Sequence, residues 1–568
     1  MRENLSVWWI LLGTLFLFST TAAPSPLDVK IGFSGYFVPG MLAPIRITFT
    51  DTEPFTGTLK VTQRIGNAWR GEATAVREIP ITLTGRTDKE EILPIYDFAH
   101  PLEVSLLGST DIPLATQQID LRPWRRDRAF PLTIGAFPHL LNPEAVSAAQ
   151  SELPSFWAGY QAVSSLWIGR LERTPSCEQW NAIGQWVLAG GTLVLFTGED
   201  FYRLDTLCLK NLFPLTDLDL QPEEDGLYTL HGKKRPGTEV LLMTEEETPL
   251  LLSRRYGTGT VFLVTRSVFA LPASDLDWIQ THIPPAQSQL VSLAAPCQDL
   301  LARTTLDRPG YPTAFLIVIL SLTTLSLATF FTKTTKKRLL WISGATIGLC
   351  LLSGLYLNQT KLVKDIYIIK TSICIQDSLG FELNYLDLFA TRDTPVNVNI
   401  EVRDQEALVQ ELPVTMQNYC FDISWQQGRG ATLFLKKREE RTLVSFSSQA
   451  PPLSVTQATD ALVSIKNGLN RELNHAFLIV DGKAFSLGQI KVGTEQYRIE
   501  KSETPFQEAS VGDASVNLLY QSLVGYLPLQ QDVWLVGGWE YVSRERQTDT
   551  WLKVRDVYLY VIRGESYE

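Results

Sequence analysis

The chain is poor in the residues that carry most enzyme chemistry. Six cysteines are spread over 568 residues, too scattered for a disulfide framework, and none falls in a CxxC or Cys/His spacing that would hold zinc. Only five histidines are present, and His139, His231 and His282 stand singly, each ordinarily explained as a satisfied structural histidine. No GxSxG or GxCxG occurs, which removes the nucleophile-elbow signature of α/β hydrolases. The acidic runs "PEED" (222–225) and "EEE" (245–247) lack the DxDxDG order of a calcium loop and read as solvated turns. No metal, cofactor or catalytic residue is therefore expected.

Positive charge is also scarce. The formal net charge is −11, which argues against a nucleic-acid partner, because phosphate binding needs a net basic surface. The one basic cluster before the central apolar region, "RPWRRDR" (Arg122 to Arg128), sits where a linker is expected. A solvated strip of ion pairs is its plainest reading.

Long apolar runs are what the chain does have. Residues 1–23 carry one Arg, an apolar core from Val7 to Phe18 and small residues before a Pro-rich stretch, the form of a secretory signal. Residues 313–332 and 339–357 are uncharged apolar runs near the ~20 residues that span a bilayer as a helix. The connection between them, "KTTKKR" (333–338), is basic and predicts a cytoplasmic loop, placing both flanking regions outside the cytoplasm. Gly344 and Gly348 form a GxxxG on the second run, a spacing that admits a close helix neighbour. In an outer location, Cys177 with Cys208 or Cys374 with Cys420 could pair; spacing alone does not choose.

Residues 24–125 alternate in short strands such as "IRITFT", broken by Gly, Pro and Asp, and predict a β-sandwich of about seven strands. From 130 to 305 the pattern becomes strand and helix: "LTIGAF", a helix over "NPEAVSAAQSEL" (142–153), "AVSSLWIG", a helix over "SCEQWNAIGQWVL" capped by Ser176, then "TLVLFTG". This predicts a right-handed parallel α/β unit. The loop after "TLVLFTG" begins Glu199-Asp200, with neither Ser nor Cys to attack a substrate. Further on, "LLSRRYGTGTVFLVT" reads as two strands about a Gly257-Thr258-Gly259 turn, without the following helix that phosphate binding would need. Residues 362–568 are β-rich, in one or two modules, with one helix near "DASVNLLYQSLVGYL".

Three stretches resemble parts of a family of uncharacterised bacterial membrane proteins: "GYFVPGMLAPIRITF", "WNAIGQWVLAGGTLVLFTG" with "RRYGTGTVFLVT", and "NRELNHAFLIVDGKAFSLGQIKVG". The resemblance implies a multidomain membrane protein: an all-β sandwich, a flavodoxin/amidotransferase-like α/β domain without its catalytic cysteine, a transmembrane helical hairpin and a C-terminal β-rich region. It also implies a place in the bacterial cytoplasmic membrane, in company with MoxR and von Willebrand A-type systems or an ABC transporter. The expected function is a non-enzymatic, membrane-anchored scaffold or binding protein of the envelope. Two alternatives stand beside it: an envelope hydrolase or amidotransferase using Cys177 or Cys208, and a glycan- or peptide-binding module, which exposed aromatic residues on one face would favour.

Overall fold

The computed structural model describes residues 27–283 and 365–564, with short interruptions and longer ones at 399–407 and 413–422, together with Thr323. The chain divides into two compact units: residues 1–127 with 398–400 and 418–432, and the remainder.

The N-terminal part of the first unit contributes β1 (Leu27–Ile31), β2 (Leu42–Thr50), β3 (Phe55–Asn67), β4 (Gly71–Leu83), β5 (Arg86–Pro94), β6 (Leu102–Leu107) and β7 (Pro113–Ile119). They divide between an antiparallel β1-β2-β5 sheet and a larger second sheet, in which they stand in the order β4-β3-β6-β7. Side chains alternate across a strand, so Leu27, Val29 and Ile31 point inward while Asp28 and Lys30 are exposed. The inward residues meet Leu59, Val61, Ile79 and Val104 of the second sheet in one core. Ile423–Gln426 joins this unit by running parallel to β4.

The second unit begins with a mixed sheet. Its strands are β8 (Phe130–Ile134), β9 (Val146–Ala148), β10 (Val163–Ile168), β11 (Thr192–Phe196), β14 (Thr238–Met243), β15 (Pro249–Tyr256) and β16 (Gly259–Val264), while β12 (Leu215–Pro222) and β13 (Tyr228–Lys234) form a separate hairpin. The order is β14-β15-β16-β11-β10-β8-β9. From β9 to β16 neighbours run parallel; β15 and β14 turn antiparallel. Every residue of β10 and β11 is buried, the mark of strands covered on both faces.

Helix α1 (Cys177–Leu188) connects β10 to β11. Ser176 caps it reciprocally: its hydroxyl accepts from the Gln179 amide at 3.3 Å, and the Gln179 side chain accepts from the Ser176 amide at 3.0 Å. Gly184 lets the helix approach the C-terminal sheet, since a Cβ there would lie 2.6 Å from Leu379. One residue on, Gln185 donates to the Gly380 carbonyl at 3.1 Å.

That C-terminal sheet has nine strands. Thr550–Arg563 lies at its centre, parallel to Asp365–Gln376, which is in turn antiparallel to Gly380–Ala390. The short helices α2 (Phe201–Leu204) and α3 (Ala273–His282) belong to the first sheet's region, and α4 (Ala514–Leu523) backs the second. Tyr520 of α4 meets Phe477 edge-on at 5.2 Å. The opposite sheet face is covered by three strands whose Val455, Val463 and Ile465 pack with Leu535, Tyr560 and Ile562.

Several expectations need correction. The chain is mostly β-sheet, and no flavodoxin-like α/β domain is present among the described residues. Among the described residues the strand-helix-strand pattern is realised once, at β10-α1-β11; the stretch read as a helix over 142–153 instead contains β9 and a 3-10 turn at Gln150–Glu152. Val146 and Ala148 are buried and Ser147 exposed, an alternation over three residues that is too short to separate a strand from a helix by period. The segment 215–256, where further crossover helices would lie, folds as hairpins. The amidotransferase-like expectation falls with the α/β domain. Among the described residues no helix is long and apolar enough to cross a membrane. Helix α1, at 12 residues, reaches about 18 Å against a hydrocarbon core of about 30 Å. The expected hairpin (313–332, 339–357) and signal (1–23) lie outside the described residues, Thr323 excepted.

Candidate functional site

The parallel strands end together. Beyond β8 and β10, Ala136 and Arg170 exchange backbone hydrogen bonds at 2.9 and 3.3 Å. Beyond β11, the Thr197 amide and hydroxyl both donate to the Val264 carbonyl at the end of β16. The β12-β13 hairpin closes this end: Leu230 donates its amide to the Thr265 carbonyl at 2.8 Å, and Arg266 donates to the Thr229 hydroxyl at 3.2 Å.

Two carboxylates sit here almost out of water. Asp200 accepts from the Ser267 hydroxyl at 3.2 Å and faces Arg170 at 3.6 Å, with its side chain 8% exposed. Glu223, also 8% exposed, is paired with the half-buried Arg266. Its second oxygen, Oε1, is buried without a hydrogen-bond partner among the described residues. Removing one member of a buried pair leaves an uncompensated charge, so Arg266→Leu is expected to cost about 3–5 kcal/mol. The double variant with Glu223→Leu should recover much of it in urea denaturation; equal losses for the single and double variants would contradict this.

Gly198 makes the loop's close approach to its neighbours possible. Its φ is +61°, and a Cβ would lie 2.5 Å from the Ser267 nitrogen and 2.9 Å from the Tyr228 carbonyl oxygen. Gly198→Ala should cost at least the ~1–2 kcal/mol of a left-handed L-residue, with the clash added.

Burial raises the Asp200 carboxyl above the ordinary value of 3.8, against the opposing pull of the Ser267 hydroxyl, Arg170 and Arg203. The folded chain then binds this proton more tightly than the unfolded one. Its contribution to stability is fully present below pH 3.8 and is lost as pH rises through the raised value. Asp200→Asn should therefore gain stability relative to the parent as pH rises above the ordinary value of 3.8; a pH-independent difference would refute the assignment.

Exposed aromatic residues stand close to these groups along the chain. Tyr202, two residues from Asp200, is 73% exposed; Phe269, two residues from Ser267, 48%; and Tyr228, whose carbonyl oxygen would lie 2.9 Å from a Cβ at Gly198, 40%.

The residues singled out in the sequence are mostly accounted for elsewhere. Cys177 and Cys208 form a disulfide with Cα atoms 5.8 Å apart. Cys374 is buried and takes no part in that disulfide, and Cys420 lies outside the described residues, as does His139. His231 stands opposite Asp219 in the β12-β13 ladder. His282 ends α3, its ring stacked on Trp278 at 4.0 Å and its Nδ1 2.8 Å from the Trp278 carbonyl oxygen. Gly257-Thr258-Gly259 turns β15 into β16, and Thr258 donates to the Leu188 carbonyl. Arg122 and Arg125 pair with Asp120 and Asp127, Arg126 covers the Tyr36 ring, and Arg128 reaches Glu144. Glu247 lies in the β14-β15 connection with φ +60°. Of "PEED", Glu223 is the described acid that enters the site. Asp200 and Glu223 both stood in stretches set aside as chemically idle; the sequence signal was a polar pair directly after each apolar strand, Glu199-Asp200 after β11 and Arg266-Ser267 shortly after β16.

No family model and no curated protein matches the chain. Solved structures similar to it include the exo-β-1,4-mannosidase Op5Man5 from Opitutaceae bacterium strain TAV5, at 13% identity over 27% of this chain and 33% of that one, with a TM-score of 0.18. Another is a Paenibacillus sp. cycloisomaltooligosaccharide glucanotransferase complexed with cycloisomaltoheptaose, at 15% identity over 37% and 34%, with a TM-score of 0.15. The chain spans about a third of the length of each, and at these scores neither defines its fold.

Proposed function

We propose that the chain is a non-enzymatic, extracytoplasmic binding protein that serves as a scaffold among other proteins of the bacterial envelope. The observation that carries this reading is the Cys177–Cys208 disulfide. Such bonds persist in oxidising compartments, and this one occupies both thiols on which a cysteine hydrolase would rely. At the closed end of the parallel strands, the Ser267 hydroxyl is bonded to a carboxylate, an arrangement suited to holding a partner group.

Cross-linking in intact cells, followed by affinity purification, tests the reading. A defined set of envelope proteins is the expected yield; recovery of the chain alone would overturn the scaffold. A thiol assay tests the bond itself. Maleimide should leave Cys177 and Cys208 unlabelled until a reductant is added, and labelling of Cys177 without reductant below pH 8 would return attention to thiol chemistry.

A further inference from the structure

We propose that the end of the parallel strands is a saccharide-binding site, in which Asp200 and Glu223 accept hydrogen bonds from ligand hydroxyls and Tyr202, Tyr228 and Phe269 pack against sugar rings. This rests on the binding reading above and names its ligand class. Three observations converge on it. First, Glu223 Oε1 is a buried acceptor without a donor among the described residues, and leaving such an atom unpaired is costly; a hydroxyl-rich ligand supplies donors. Second, the charges balance: Arg170, Arg203 and Arg266 face Glu199, Asp200 and Glu223. That balance selects against a strongly charged ligand, whether a polyanion or a basic peptide. Third, exposed aromatic residues stand on three separate segments whose backbone meets this end: Tyr202 two residues from Asp200, Phe269 two residues from Ser267, and Tyr228 with its carbonyl oxygen beside Gly198. A ring with an apolar face and a polar edge suits a sugar, which presents C–H groups on its faces and hydroxyls at its rim.

The backbone supports a fixed site. Gly198 draws the loop against Ser267 and Tyr228. The disulfide joins the start of α1 to Cys208, so the closed loop contains Asp200 and Tyr202.

The experiment is calorimetric titration of the full chain with cellotetraose, maltotetraose and chitotetraose, with tetralysine as the charged control. Binding of at least one oligosaccharide, and none of tetralysine, is expected. Tyr202→Ala and Phe269→Ala alter exposed rings and should leave the melting temperature unchanged while weakening binding roughly two- to tenfold each. Asp200→Asn and Glu223→Gln, which keep shape, should weaken it roughly ten- to a hundredfold. Failure of all three oligosaccharides to bind, binding indifferent to both ring variants, or preference for tetralysine would each overturn the inference. Envelope proteins recovered by cross-linking alongside such a failure would overturn the saccharide and keep the scaffold; loss of both results would remove both readings.

Discussion

Trp157→Ala is expected to destabilise the second unit by about 3–5 kcal/mol, the range for deleting a buried tryptophan. The indole is 1% exposed and lies 5.3 Å from the Phe381 ring and 5.4 Å from the Phe446 ring. Those phenylalanines stand on adjacent paired strands of the nine-stranded sheet, where Leu383 is opposite Phe446. Trp157 therefore fills the space between that sheet and the region of α1, where Gly184 and Gln185 make their own contacts. Truncation leaves a cavity that two sheets of different origin cannot close without losing register. Trp157→Phe is the informative control. The indole N–H is buried without an acceptor among the described residues, so phenylalanine keeps most of the packing and removes an unsatisfied donor. A loss below about 1.5 kcal/mol is expected for it. Urea denaturation followed by circular dichroism reads both, and an alanine variant within 1 kcal/mol of the parent would mean that this packing contributes little.

Removing the disulfide should have an effect of similar size. Cys177 and Cys208 are separated by 31 residues, and closing a loop of that length in the unfolded chain corresponds to about 3–4 kcal/mol on the chain-entropy model. The double variant Cys177→Ser/Cys208→Ser, or reduction of the parent, should lower the denaturation midpoint accordingly. Because the closed loop contains α1, β11 and Asp200, the loss should also appear as faster amide exchange in β11. A reduced protein with unchanged exchange there would show that packing alone holds the strand.

Local signals were the legible ones. The helix at "SCEQWNAIGQWVL" was readable because Ser176 stands at its N-cap and Gly190 near its end. The turn at Gly257-Thr258-Gly259 was readable because largely apolar strand residues stand on either side of its glycines. Asn142 to Leu153 misled for the complementary reason: Val146, Ser147 and Ala148 are too few to distinguish one period from the other, and the choice fell to the edge of β8, which offered a parallel partner. The α/β reading extended one genuine β-α-β crossover to a whole domain, whereas the following segments found antiparallel partners and formed hairpins.

The candidate site was the least legible part. Asp200 and Glu223 are ordinary acidic residues in their own stretches of sequence; what distinguishes them is that β16 delivers Arg266 and Ser267 between them from some 40 to 70 residues away. The sequence by itself determined the capped helix, the alternating strands of the first unit, the acidic balance and the small set of thiols that could pair, because each depends on neighbours in the chain. Only the tertiary structure decided which cysteines joined, which strands ran parallel and which carboxylates were buried. Those outcomes depend on partners distant in sequence, and burial, which sets both a charge's energy and its chemistry, exists only once the sheets have assembled.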